Sequence, residues 1–145
     1  MVEYAGFWRR FAAWIIDSII VTVGSLIIGF IIGLILGIAL INLDEITKDS
    51  IIYTVSFIVG FIIPWLYFAL MESSDKQATL GKMTLKIKVT DLDGNRISFG
   101  RASARYWSKL LSGFILCIGY FMAGWTKRKQ ALHDMIAGCL VVKDS

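Results

Sequence analysis

The sequence is poor in the residues that build cross-linked or metal-dependent proteins. Its 145 residues include two cysteines, Cys117 and Cys139, one histidine, His133, and one proline. Two cysteines so far apart exclude a disulfide framework and a cysteine-based zinc site. A single histidine argues against a metalloenzyme. One proline and 13 glycines without a period exclude collagen-like repeats.

What the chain has in excess is apolar sequence. Hydrophobic residues make up 57% of it and the mean hydropathy is +0.69. A disordered chain is poor in such residues, so disorder is excluded. The excess is concentrated in uncharged runs, which indicates a membrane protein of a single domain over residues 1–145.

Two of these runs predict membrane-spanning helices, at about 11–41 and 51–71. Residues 18–41 are 24 consecutive positions without charge, and residues 51–71 are 21. Either run can cross a hydrocarbon core about 30 Å thick at about 1.5 Å per residue. A cleaved signal peptide after Arg9 and Arg10 is the rival interpretation of the first run. It is disfavoured because its apolar region would be only about 7–15 residues long.

The flanking charges predict the orientation of the spans. The loop 42–50 is short and mostly acidic, whereas Arg9 and Arg10 precede the first span and the segment 72–109 carries eight basic residues. Positive residues favour the cytoplasmic side. We therefore expect a multi-pass protein of the cell membrane with the N-terminus and segment 72–109 in the cytoplasm.

A third apolar run, residues 110–125, allows two interpretations. Its 16 positions are marginal for a crossing, and Lys127, Arg128 and Lys129 follow at once. If the run crosses, this basic cluster lies outside the cell, against the usual charge distribution. If it re-enters and returns, the cluster and the tail 126–145 stay in the cytoplasm. Run length and flanking charge favour the return.

The fold class predicted is all-α transmembrane: two full spans, a third short hydrophobic helix and a small cytoplasmic β element. Leu85, Ile87 and Val89 alternate with polar residues, as in a half-buried strand. The stretch 139–142 is also strand-like, and its pairing with 85–89 would require a cytoplasmic C-terminus. Residues 96–98 are expected to form a short return strand after the Asp93-Gly94 turn, and Ser98 can cap the next helix.

Residues 99–112 are expected to form an interfacial helix. Arg101, Arg105 and Lys109 recur every four residues, and Tyr106 and Trp107 are typical of headgroup depth. The simplest interpretation is a basic face that lies on anionic lipid headgroups. The bilayer is thus a predicted partner, whereas no nucleic-acid partner is expected.

Asp17 is the most informative residue, because an ionisable group inside a spanning helix costs at least about 2.5–3.5 kcal/mol on insertion scales. Arg10 lies seven residues earlier on the same helix face, roughly 10 Å away along the axis. One interpretation is an ion pair that fixes helix packing. The other is an ion, proton or substrate site.

Two further patterns bear on helix packing. Gly29, Gly33 and Gly37 form a small-residue face opposite Asp17, which favours close helix packing or dimerisation. The second span carries a small or polar stripe that faces the first helix or lines a cavity. Its members are Tyr53, Ser56, Gly60, Pro64, Tyr67 and Met71.

Enzyme chemistry is not expected. His133-Asp134 lacks the additional ligands of a metal-dependent phosphohydrolase, and Gly81-Lys82 lacks the first glycine of a P-loop. No nucleophile–base motif occurs. We therefore expect neither a cofactor nor a metal.

The motifs together resemble the RDD family of small bacterial and archaeal membrane proteins, which is named for one Arg and two Asp. The resemblance lies in Ala5-Gly6-Phe7-Trp8-Arg9-Arg10-Phe11 through Asp17, in Gln77 through Val89 with Asp91-Leu92-Asp93-Gly94, and in Arg105 with Lys127 through Asp134. It implies that Arg10, Asp17 and Asp134 are the family's three named positions. Cys139 stands where a small polar residue is expected.

The resemblance implies a transport role, with cation/proton antiport attributed to some members. In a homo-oligomeric transporter, Asp17 would bind the ion or solute with Arg10 as its charge partner. Asp134 would be a cytoplasmic gate residue paired with Arg105 or one of Lys127, Arg128 and Lys129, and His133 would belong to the same supporting charge network. The alternative is a membrane scaffold or regulatory subunit, in which the same charges hold the cytoplasmic segment against the bilayer.

Overall fold

The computed structural model describes residues 2–114 and 118–144. Residues 1, 115–117 and 145 lie outside this description, and with them the centre of the third apolar run. The elements are α1 (Phe7–Ala39), α2 (Glu45–Glu72), α3 (Leu80–Thr84), β1 (Ile87–Asp91), α4 (Phe99–Phe114), α5 (Ile118–Phe121), a 3-10 turn (Met122–Gly124), α6 (Leu132–Ala137) and β2 (Cys139–Lys143).

Helices α1 and α2 are the two predicted spans, each extended beyond its apolar run. Both are long and apolar enough to cross a membrane, and their most apolar stretches are uncovered by the rest of the chain. Helix α1 begins at Phe7 rather than near residue 11. Helix α2 begins at Glu45 because the Asp44 carboxylate accepts a hydrogen bond from the Thr47 N–H at 2.9 Å and so caps the helix. The polar first turns of α2 precede the apolar run at 51–71, so hydropathy alone did not include them.

Apart from the loop 40–44 between the spans, the remaining described residues form a compact layer at one end of α1 and α2. We call this layer the base and define it as residues 2–6, 73–114 and 118–144. Its centre is the predicted β element, in which β1 and β2 pair antiparallel with Val89 opposite Val141. Ile87, Val89 and Val141 are buried in the main apolar cluster together with the Ala13 and Ala69 positions of the spans.

Three chain segments meet at this sheet, and this bears on the course of the third apolar run. Tyr4 bridges to Val142, and the Ala5 N–H donates to the Val141 carbonyl at 2.9 Å. The N-terminal segment, β1 and β2 therefore lie on the same side of the two spans. Since the third run starts after β1 and ends before β2, the described segments on either side of it lie on the same side of the two spans, which favours the return over a crossing.

The local predictions near β1 are confirmed in part. The Ser98 hydroxyl accepts a hydrogen bond from the Arg101 N–H at 3.2 Å, as expected of a cap for α4. Gly94 has a φ of 87°, which suits the predicted turn. The return strand at residues 96–98 was a wrong prediction, because these residues have no strand pairing and β2 occupies the edge of β1 instead.

Site-directed labelling tests this topology. In a chain whose two native cysteines are replaced by alanine, cysteines introduced at Val2, Arg128 and Ser145 should react with a membrane-impermeant maleimide from the same side. A cysteine at Leu43, between the spans, should react only from the opposite side. Labelling of Arg128→Cys together with Leu43→Cys would show that the third run crosses.

Candidate functional site

The buried charges of the protein gather where α1 and α2 enter the base. Asp17, Glu72 and Asp134 are each at most 1% exposed, and Lys82 and Arg105 are also buried. Five elements supply them, so residues far apart in the sequence form one cluster. Burying ionised groups is costly unless each is paired and hydrogen-bonded, so their partners decide what the cluster can do.

Asp17 joins α1 to α2 and α3 through three hydrogen bonds. Its Oδ2 accepts from the Thr79 hydroxyl at 2.5 Å, and its Oδ1 accepts from the Tyr67 hydroxyl and the Gly81 N–H, both at 2.8 Å. The Tyr67 hydroxyl in turn accepts from the Leu80 N–H at 3.1 Å. The sequence prediction that Arg10 is the charge partner of Asp17 was wrong.

Gly81 permits this close approach. A Cβ at this position would lie 2.3 Å from the Ala13 carbonyl oxygen and 2.8 Å from the Asp17 Cγ. The first of these atoms belongs to the helix backbone, which cannot move aside without disturbing α1. Thr79 caps α3 by accepting from the Lys82 N–H, so the same short segment fixes its own helix and holds the carboxylate.

Arg105 connects the other two carboxylates. Its Nη1 donates to both Glu72 oxygens at 2.8 and 2.7 Å, and its Nε donates to Asp134 Oδ1 at 2.7 Å. Bonds of this kind are the strong ones, because both partners are charged and the guanidinium is rigid. Arg105 thus ties α4 to the end of α2 and to α6.

The network continues through one base at each end. Lys82 donates to Glu72, and the Arg10 Nη1 donates to Asp134 Oδ2. Asp134 also accepts from the Ala131 N–H at 3.0 Å, which fixes the first turn of α6. The predicted pairing of Asp134 with Arg105 is confirmed. Its pairing with Lys127, Arg128 or Lys129 is not, because all three are exposed on the turn before α6 and, within the described ranges, form no ion pair.

The predicted lipid-facing basic stripe of α4 is largely turned inward. Arg105 is buried against the two carboxylates, and the Lys109 ammonium lies 4.2 Å from the centre of the Phe68 ring. Only Arg101 keeps an exposed side chain, with Asp91 4.0 Å away. The four-residue spacing of Arg101, Arg105 and Lys109 therefore indicated a face of α4 that packs toward Glu72 inside the protein. The sequence alone did not single out this acid.

His133 lies beside the network, lines a cavity together with the network's basic residues, and is held neutral. Burial lowers its pKa to about 3, and neighbouring Arg105, Lys109 and Arg10 act in the same direction against the raising effect of Asp134. Its Nδ1 lies 3.2 Å from the Ser112 hydroxyl and its Nε2 lies 3.5 Å from Asp134 Oδ1. Burial opposes the charge on Asp134, but Arg105 and Arg10 outweigh this and hold its pKa well below 3.8.

A cavity of about 540 Å³ adjoins the network. Asp17 lines it, whereas Glu72 and Asp134 do not. The basic partners of these two carboxylates line the cavity instead. In residues 2–114 and 118–144, no three His, Cys, Asp or Glu side chains are grouped as metal ligands would be. The charged residues that line the cavity are Arg10, Asp17, Lys82, Arg105 and Lys109.

The three positions that the sequence singled out, Arg10, Asp17 and Asp134, therefore meet in one cluster, in the arrangement expected of a shared motif. The sequence profile of the RDD family matches residues 4–138. The chain belongs to the RDD family. It is similar to the uncharacterized protein YxaI of Bacillus subtilis (strain 168), at 35% identity over 98% of this chain and 99% of YxaI.

A second relative is named as a membrane protein. The uncharacterized membrane protein YteJ of the same organism is 32% identical over 97% of this chain and 82% of YteJ. None of the solved structures gives a significant match to the chain. In the RDD chain described here, Arg10 contacts Asp134, and Asp17 is held by the 79–81 segment.

Sequence reasoning overlooked Glu72, Thr79 and Lys82 as members of the site. Glu72 looked like the first polar residue after a span, and Lys82 like one of many bases in segment 72–109. Tyr67 did belong to the predicted polar stripe, and the part of that stripe near the base does face α1. Tyr53, at its other end, is 75% exposed.

Replacing Gly81 with alanine should destabilise the protein. The added Cβ cannot fit against the Ala13 carbonyl, and such overpacking typically costs about 1–3 kcal/mol. We expect a lower thermal midpoint in detergent for Gly81→Ala. Gly100→Ala is the matched control, because this exposed glycine of α4 has no atom within 4 Å of an added Cβ. Equal midpoints for the two variants would contradict the proposed close approach.

The low pKa of His133 predicts a pH dependence of stability. An unfolded chain binds a proton at this residue below about pH 6.5, whereas the folded chain does not until about pH 3. The free energy of unfolding should therefore decrease on acidification from pH 6.5 to 4.5, by at most about 1.4 kcal/mol per unit from this residue. Chemical unfolding in detergent, followed by tryptophan fluorescence, should show a shallower dependence for His133→Gln. An unchanged slope would rule out the buried neutral histidine.

Proposed function

We propose that this RDD protein is a membrane transporter of a small charged solute and that it acts as a homo-oligomer. The observation that supports this is the cavity at the base end of the spans, into which charged side chains of α1, α3 and α4 project. Ionisable groups at such a depth are typical of substrate and ion pathways. The basic residues around the base favour its placement in the cytoplasm, with the chain in the cell membrane.

Oligomerisation is part of this proposal because two spans cannot enclose a pathway. Beyond the base, α1 and α2 leave most of their apolar side chains exposed. Gly29, Gly33 and Gly37 each have open space where a side chain would begin, so this face of α1 is free within the described chain. Small residues at this spacing allow two helices to approach closely, and a second copy packed there would supply the missing wall.

The lining of the cavity favours an anionic solute over a cation. Four basic side chains and one carboxylate line it, and both oxygens of that carboxylate already accept hydrogen bonds from the protein. A cation would need free acceptor oxygens. Cation/proton antiport, which some RDD relatives suggest, thus has less support from this geometry than the uptake or release of an anion.

Flux measurements test the transport proposal. Proteoliposomes on a solid-supported membrane would receive concentration jumps of Na⁺, K⁺, inorganic phosphate, glycerol phosphate and its dihexanoyl ester. We expect a transient current with an anion, lost in Lys109→Gln and retained in Arg101→Gln, the exposed base on the same helix. A trapped pH dye that responds to a Na⁺ or K⁺ pulse would instead establish cation/proton antiport.

If no solute moves charge or protons, the second candidate remains: a non-transporting scaffold or regulatory subunit. The observation in its favour is that Asp17, Glu72 and Asp134 each accept at least two hydrogen bonds from the chain itself. Such saturation suits a structural network that holds the base against the spans. Asp17→Asn separates the two candidates: a variant that folds and oligomerises normally but has lost flux rules out a purely structural role.

A further inference from the structure

Arg10 has donors that the protein does not use. Its Nη1 donates to Asp134, but Nε and Nη2 are buried and have no hydrogen-bond partner within the described residues. A guanidinium carries five N–H donors, and leaving buried ones unmade is unfavourable by about 1–3 kcal/mol. Arg10 lines the cavity, so a ligand there lies beside this side chain and could accept these bonds after a small rotation of the guanidinium.

Lys109 offers a second basic group in the same cavity. Burial lowers its pKa to about 7, and an anion bound beside it would favour the protonated ammonium. Its ammonium lies over the Phe68 ring and, within the described part of the chain, forms no ion pair. Contact with an aromatic face stabilises a cation only partly, since the ring offers no hydrogen-bond acceptor oxygen. Its three N–H donors are therefore available to an anion beside Arg10.

The charge count of the site leads to the same conclusion. The cluster brings four basic side chains together with three carboxylates, which leaves one positive charge in excess. An anion in the cavity would neutralise this excess, in a place where burial makes unpaired charge costly. The members are Arg10, Lys82, Arg105 and Lys109 on one side and Asp17, Glu72 and Asp134 on the other.

Part of the cavity wall is aromatic and open. Phe11, Trp14 and Phe121 line it, yet they remain 42%, 52% and 49% exposed. Two of them belong to α1 within two turns of Arg10, at the level where the span enters the base. Aromatic residues at this depth are typical of contact with the headgroup region of a bilayer. A free inorganic anion would have no use for this wall, whereas an acyl chain would.

We propose that the cavity binds an anionic amphiphile, specifically an anionic glycerophospholipid whose phosphate contacts Arg10 and Lys109 and whose acyl chains leave past Phe11, Trp14 and Phe121. This inference rests on the proposed function, but it replaces the small soluble anion with an anionic lipid as the occupant of the same cavity. It predicts that the ligand enters sideways from the adjoining leaflet rather than from water.

Native mass spectrometry of the full chain tests the lipid site. Delipidated protein in neutral detergent would be incubated with an equimolar mixture of phosphatidylglycerol and phosphatidylcholine with the same acyl chains. We expect one phosphatidylglycerol to be retained per chain. Lys109→Gln should weaken its binding about tenfold, as expected for the loss of one charge-assisted hydrogen bond. Arg128→Gln is the matched control, because this exposed base does not line the cavity and should leave binding unchanged.

Several results would overturn the lipid proposal. Equal retention of both lipids would show that the cavity does not select a negative charge. Displacement of the lipid by glycerol phosphate at the same concentration would identify a soluble anion as the ligand. Equal loss in the Lys109→Gln and Arg128→Gln variants would indicate binding to the general basic surface. The competition on the wild type decides the matter even if Lys109→Gln fails to fold.

The two proposals fail in different ways. Binding of phosphatidylglycerol without any flux would refute transport and leave a structural lipid site in the base. Flux of a soluble ion by a chain that retains no anionic lipid would refute the lipid site and leave transport intact.

Discussion

The base depends on the hydrogen bonds of Arg105, because this one side chain pairs with two buried carboxylates and offsets the cost of burying their charges. Glu72 ends a membrane-spanning helix and Asp134 begins a short helix near the C-terminus, and both are almost fully buried. Ionised carboxylates in such surroundings require strong partners. A single guanidinium bonded to both therefore fixes where α2, α4 and α6 meet.

Asp17 performs the same task for the other half of the base. Its oxygens hold Thr79 and Gly81, so the chain that leaves α2 folds back at once against α1. The contacts of Asp17 and those of Arg105 are linked through Lys82. Its ammonium pairs with Glu72, and the segment it belongs to holds Asp17 through Thr79 and Gly81. The charges at the end of the spans thus form a continuous network, and the cavity lies on the side where basic groups exceed acidic ones.

Burial differs between the two ends of the protein: the base is well packed, whereas the outer parts of the two spans lack protein neighbours. The base has a sheet, an apolar core and paired charges of its own. The outer parts of α1 and α2 have little protein around them, so their stability depends on lipid or on another copy of the chain. Any ligand site that the single chain provides therefore lies where α1 and α2 enter the base.

The sequence by itself determined the two spans, the β element and the unusual position of Asp17, whereas Asp134 was singled out only by the family resemblance. Long uncharged runs and strand alternation are local patterns, and a carboxylate within an apolar run is conspicuous in any context. Only the tertiary structure decided which charge meets which. Arg10 pairs with Asp134 and not with Asp17, and Arg105 pairs with Glu72 instead of lying on the lipid surface. The segments before and after the third apolar run lie on the same side of the spans because three segments share one sheet. Ion pairs and strand pairing between distant residues depend on the three-dimensional arrangement of the elements, which no local periodicity encodes.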